Sequence, residues 1–290
     1  AHRRRGIRED EVGGRAKTRR TAVMKPETEL LYFDDTFRFE CTAAVRSVEP
    51  HGEPADDAPP RYAVVLDRTV AYPAGGGQPS DTGRLVAGDV VFSIESVIAG
   101  KDDGVVRHVG AFEEGAKTFE VGAEVTVKVD QDARVLHARV HSAGHLLDVA
   151  MANVGYPSSV LAPAKGLHQT DQAYVEYDGK VEGLDKDLLI RSLNDEMSKL
   201  VGAGGKTCSK LMPYDEASKA CGGSLPPYIE PGSSPRVVVI LPDTEGCPCG
   251  GTHVEDVADV GAFTVTGVRV KKGVTRVSYT IEGMKGHERK

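Results

Sequence analysis

The chain holds 290 residues with a formal net charge of −7, 40% hydrophobic and 27% charged side chains. This is the composition of a soluble globular protein with a real core, and no apolar run approaches the ~18 residues that a membrane span needs. An acidic chain is no general polyanion binder, so contact with nucleic acid has to come from a local basic patch.

Residues 1–28 are expected to form a disordered basic arm or extension. Arg3, Arg4, Arg5, Arg8, Arg15, Lys17, Arg19 and Arg20 stand there among almost nothing apolar. A mitochondrial presequence is also Arg-rich, but Glu9, Asp10, Glu11 and the missing apolar face argue against import, and Met24 offers a start. Residues 29–130 read as β: Tyr62–Leu66, Val90–Ile94 and Glu124–Val129 are β-branched runs between turn-rich stretches, with a polar, Pro-rich loop at His51–Pro60. An antiparallel barrel or sandwich follows from that texture.

Residues 131–290 read as α+β. Gln131–Val154 has Val135, Leu136, Val140, Leu146, Leu147 and Val149 near helical spacing, with Asp130 as a cap. Leu184–Val201 places Leu189, Leu193, Met197 and Leu200 on one face and stops at Gly202–Gly205. Tyr214–Ala220 is a third, short helix. Strands are predicted at Tyr174–Tyr177, Arg236–Leu241, Phe263–Lys271 and Thr275–Glu282. Five cysteines at irregular spacing, without a secretory signal, fit a reducing compartment and place the protein in the cytosol.

The chemistry concentrates in two ligand pairs. His141 and His145 are four apart inside the first predicted helix, which stacks both imidazoles on one face. The Glu that follows the first His in zinc metalloproteases is absent: Ser142 and Ala143 stand there instead. Cys249-Gly-Gly-Thr-His253 supplies a thiolate and a third imidazole from a Gly-rich loop, a donor set for zinc over magnesium or calcium. Cys247 competes for the ion on ligand type, but spacing to His253 favours Cys249. A structural and a catalytic Zn2+ both remain open at this point. Gly75, Gly76 and Gly77 remove three side chains before Gln78, either for a hairpin turn or to let backbone N–H groups approach a ligand. Arg269, Lys271, Lys272 and Arg276 cluster on two predicted strands and their turn.

His141-Ser-Ala-Gly-His145-Leu-Leu with Cys249-Gly-Gly-Thr-His253-Val resembles the editing domain of alanyl-tRNA synthetase and its free-standing AlaX relatives. Ala71–Gly83 resembles the Gly-rich motif of the larger AlaX members; Lys165-Gly-Leu-His, Tyr174-Val-Glu-Tyr and Lys272-Gly-Val-Thr-Arg276 fit the same group. The resemblance spans 31–282. It implies an N-terminal antiparallel β-barrel domain followed by an α+β zinc-bearing editing domain. It also implies a hydrolase of translation fidelity that cleaves the ester of tRNA(Ala) mischarged with serine, and sometimes glycine, in trans. Gln78 is then a candidate contact near the tRNA 3′ end, Thr252 a reader of the substrate side chain, and the basic cluster a phosphate-contacting surface. No membrane and no stable protein partner is expected. Two other functions compete: a tRNA-binding module with a structural zinc, and a zinc hydrolase of a small ester or amide.

Overall fold

A computed structural model describes residues 27–53, 59–100 and 103–285. The basic arm lies outside these residues except for Glu27 and Thr28, as does the middle of the Pro-rich loop. Thr28, counted above with the arm, is buried: its hydroxyl donates to Leu66 O at 3.1 Å and accepts the Val106 N–H at 3.1 Å.

Six antiparallel strands close into a barrel: β1 (Glu40–Pro50), β2 (Tyr62–Leu66), β3 (Gly83–Ala87), β4 (Val90–Ala99), β5 (Val106–Phe112) and β6 (Glu124–Val129), in the order β1-β2-β5-β4-β3-β6. Alternation explains it. Cys41, Ala43 and Val45 of β1 and Val125, Val127 and Val129 of β6 point inward while their neighbours face water. Inside, Leu66, Leu85, Phe92 and Val97 are at most 1% exposed, each side chain contributing about 1.5–3 kcal/mol by leaving water. Register shifts at Val45/Ser47 and Ile94/Ser96 mark bulges that bend long strands into a closed wall. The barrel resolves the earlier choice between barrel and sandwich.

Helix α1 (Gln131–Asn153) leaves the last barrel strand directly. The Asp130 carboxylate accepts the Ala133 N–H at 3.0 Å, the expected cap. Arg134 in its first turn is fully buried, ion-paired with Asp81, and donates to Thr36 O at 2.8 Å and to Val70 O. Asp81 also accepts the Tyr72 N–H at 2.6 Å, so the end of the Gly-rich motif is tied to the start of the helix that carries the histidines.

Beyond α1 come β7 (Ala162–His168), β8 (Ala173–Asp178), α2 (Lys186–Ala203), β9 (Cys208–Leu211), α3 (Tyr214–Ala220), β10 (Arg236–Val239), β11 (Cys247–Pro248), β12 (Phe263–Lys271) and β13 (Val274–Ile281). One antiparallel sheet has the order β12-β13-β8-β7; a smaller one has β9-β10-β11. Both α1 and α2 pack on one face of the larger sheet, burying Leu146, Leu147, Leu193, Met197, Val175 and Val277 together. Strand β7 was not predicted. Pro163, Gly166 and a mostly exposed pattern hide an edge strand from a periodicity argument. Among the described residues no helix is long and apolar enough to cross a membrane.

Candidate metal centre

The two ligand pairs meet. His141 and His145 sit one turn apart on α1, and the loop after β11 brings in Cys249 and His253, so that the four ligand atoms lie within 4.8 Å of one another. Cys249 Sγ is 3.5 Å from His141 Nε2 and 3.4 Å from His253 Nε2. A tetrahedral zinc with Zn–N of about 2.1 Å and Zn–S of about 2.3 Å has ligand–ligand edges of about 3.5 Å. The donor set and these two edges therefore fit zinc.

Two of the imidazoles are oriented from behind. Gln78 Oε1 accepts from the Thr252 N–H at 3.1 Å and lies 2.7 Å from His141 Nδ1. An amide oxygen only accepts, so His141 carries its proton on Nδ1 and turns the Nε2 lone pair towards the thiol. Gln78 Nε2 donates to Thr252 Oγ1 at 2.9 Å, which fixes the amide's orientation. Ser142 Oγ accepts the Val254 N–H at 3.0 Å and stands 3.3 Å from His253 Nδ1, freeing the other nitrogen of that ring in the same way.

Burial pushes the His145 imidazole down to about 4 and holds His141 and His253 well below their ordinary value, so all three are neutral at physiological pH, as ligands must be. Burial raises the Cys249 thiol, an effect opposed by the Gly251 N–H at 3.3 Å and by the charge of Arg236.

Backbone geometry explains the glycines. A Cβ on Gly251 would fall 2.0 Å from His141 Cε1. Gly77 has φ +82°, and a Cβ there would fall 2.3 Å from Gly166 O on β7. Gly75 and Gln78 exchange backbone hydrogen bonds at 3.2 and 2.9 Å, and His168 N–H donates to Gly77 O at 2.9 Å. The Gly75–Gly77 stretch is thus a tight turn wedged between β7 and the ligand cluster.

Gln78 and Thr252 are 2% and 0% exposed and bonded to each other. The Thr252 side chain braces Gln78, and through it His141. Arg269, Lys271, Lys272 and Arg276 do gather, lining a cavity of about 380 Å³ with Glu176 and Val274.

Several residues of the site escaped sequence reasoning. Arg236 Nη1 donates to Cys249 O and Gly251 O at 2.9 Å each, clamping the ligand loop, while its buried Nε has no partner. His168 stacks on His141 with centroids 4.6 Å apart; its Nδ1 lies 2.7 Å from the Tyr279 hydroxyl, which donates to Val140 O at 2.9 Å. Asp148 lies one turn beyond His145, accepts from Tyr177 OH at 2.8 Å, and is pushed up by burial to about 7. Two of these carry a signal in the sequence: Asp148 by its position seven residues after His141, and His168 as the end of the Lys165-Gly-Leu-His motif. A second cavity of about 400 Å³ adjoins the cluster, with Asp34, Thr207, Ser209, Arg236, His253 and Glu255 in its lining.

A family model described as class II (A) tRNA synthetases matches residues 2–133, and one described as the threonyl and alanyl tRNA synthetase second additional domain matches residues 236–278. Among curated relatives, the alanine–tRNA ligase of Halobacterium salinarum is 30% identical over 274 residues, covering 91% of this chain and 27% of the relative. That of Methanothrix thermoacetophila is 33% identical over 221 residues, 75% of this chain and 23% of the relative. That of a Synechococcus strain is 30% identical over 243 residues, 83% and 26%. The chain spans about a quarter of the length of these relatives. Both family models describe aminoacyl-tRNA synthetase modules, which sets the class. Within it, the chain belongs to the family of alanyl-tRNA synthetase editing domains that includes the AlaX-type proteins.

Proposed function

We propose that the protein is a zinc-dependent aminoacyl-tRNA deacylase that hydrolyses the ester of tRNA(Ala) mischarged with serine, and less often glycine, acting in trans on tRNA already released. The observation that carries the reading is the convergence of His141, His145, Cys249 and His253 within 4.8 Å, with His141 and His253 held from behind by Gln78 and Ser142. Such orientation of a neutral imidazole is a device for holding a metal. Zinc bound there supplies a Lewis acid for the ester carbonyl, and an activated ester needs little more.

The chain's own residues do the rest. Gln78, Thr252 and Arg236 are positioning residues that hold the ligand loop against α1. The cavity beside His253 admits the aminoacyl end, its Asp34 and Glu255 suiting an α-ammonium. The hydroxyls of Thr207 and Ser209 in the same lining suit a serine hydroxyl. Alanine would leave those polar groups unpaired, which disfavours it. The basic cluster Arg269, Lys271, Lys272 and Arg276 meets phosphates of the tRNA.

Deacylation of Ser-, Gly- and Ala-tRNA(Ala) by the purified protein tests the reading. Release of serine with alanine largely spared supports it. Binding of tRNA without turnover makes the metal structural, and equal activity on free serine esters makes the protein a small-ester hydrolase; either result overturns it.

A further inference from the structure

We propose that the solvent face of the larger sheet is a track for the single-stranded 3′ end of the tRNA. It runs from the β12–β13 hairpin across β8 to Lys165 on β7, with Glu176 as a brake built into it. The direction of the track rests on the deacylase reading; the RNA segment, the path and the roles of Lys165 and Glu176 go beyond it.

Strand register places the track. Arg269 stands opposite Arg276, Arg276 opposite Glu176, and Glu176 opposite Lys165. Directly opposed residues of antiparallel strands share a face, so four charged side chains form one line across all four strands. That line covers three interstrand steps, about 14 Å. The other face carries Val175, Tyr177 and Val277, buried against the helices, so the line looks outward.

Its charge is uneven. Two arginines directly opposed repel one another. Glu176 takes up one of them, Arg276, whose Nε donates at 2.9 Å. Arg269 and Lys165 remain exposed at the two ends, with Lys271 and Lys272 beyond the first. Against a whole-chain charge of −7, this concentration of cations calls for an anion.

Shape selects the kind of anion. A line one side chain wide and about 14 Å long fits one phosphate strand of a few nucleotides. The Arg276 guanidinium lies 3.9 Å over the Tyr174 ring, a flat stack of the type on which unpaired bases settle. The far end reaches the edge strand behind which the site lies: Lys165 faces outward, while Gly166 and His168, paired with the buried Val175 and Ala173, face α1. Lys165 is followed by Gly166, against whose carbonyl Gly77 packs, and two residues further on His168 stacks on the ligand His141. An RNA end following the line has to turn round this edge strand to enter the metal centre.

The test uses the whole protein and an uncharged RNA hairpin, once with a 3′ ACCA overhang and once blunt, with binding followed by fluorescence anisotropy over a range of salt. Lys165→Gln and Arg269→Gln change exposed side chains and leave the core intact. Each is expected to lower the salt-dependence slope for the overhang RNA by about 0.7, one single-strand phosphate contact. Lys165→Gln should leave blunt-hairpin binding unchanged, and Glu176→Gln should tighten overhang binding several-fold. The proposal fails if Lys165→Gln leaves the slope unaltered or weakens both RNAs equally, or if Glu176→Gln does not tighten binding. Because no hydrolysis is read, this pattern with no release of serine from Ser-tRNA(Ala) would sink the deacylase reading and leave the track standing.

Discussion

Two sets of buried imidazoles separate the barrel from the metal centre. His108 in the barrel wall uses both ring nitrogens, one with Val64 O at 3.0 Å and the other with the Thr69 hydroxyl at 2.8 Å. His141 and His253 are buried as well and His145 partly so, yet each turns a nitrogen to the point that the Cys249 thiol also faces. Burial pushes both His108 and His145 down to about 4, so protonation does not distinguish them. The partner does. A buried imidazole whose two nitrogens are answered by protein is architecture; three that face one another across a thiol make a cluster that could hold a metal ion.

Substitutions can break that contrast. In His145→Ala the zinc content should fall from one equivalent to near zero and deacylation by about 1,000-fold or more, whereas His108→Ala should keep its zinc and lose only stability. Metal analysis beside thermal melts distinguishes the two outcomes. Next in size is the tie between the halves. Arg134→Met leaves Asp81 charged and enclosed, at an expected cost of about 3 kcal/mol or more in urea unfolding.

Gln78→Ala should weaken zinc binding and slow deacylation by about 10–100-fold while the barrel melts near its usual temperature, because the residue acts through His141. A competition titration against a zinc chelator reads the affinity. The smallest effect expected is at Asp148. Its carboxyl is raised by burial to about 7, so between about pH 4 and 7 the folded state binds the extra proton and stability falls as pH rises. Asp148→Asn should therefore be more stable than the parent at pH 8, by about 1 kcal/mol since the residue keeps some contact with solvent, and equal to it near pH 4.

What was legible in the sequence was what is local. The 131–153 helix declared itself through 3.6-residue spacing and the Asp130 cap, and the inward valines of β6 through alternation. The four ligands were legible because two short motifs carry all of them. Contacts across the fold were not. Gln78 bonds to a residue 174 positions away and His168 to one 111 away. No spacing rule links such pairs, so the bond between Gln78 and Thr252 is invisible in the sequence. The charged line across the sheet likewise exists only once strand register is known.

The central claim is that one metal, held by these four side chains, is required for hydrolysis of Ser-tRNA(Ala). The direct measurement strips the protein with a chelator, confirms by circular dichroism that it stays folded, and follows serine release as zinc is returned. The account predicts that release disappears on stripping and is restored in full by one equivalent of zinc, with Ala-tRNA(Ala) spared throughout. Undiminished release from the stripped, folded protein, or no release at any zinc level, would contradict it.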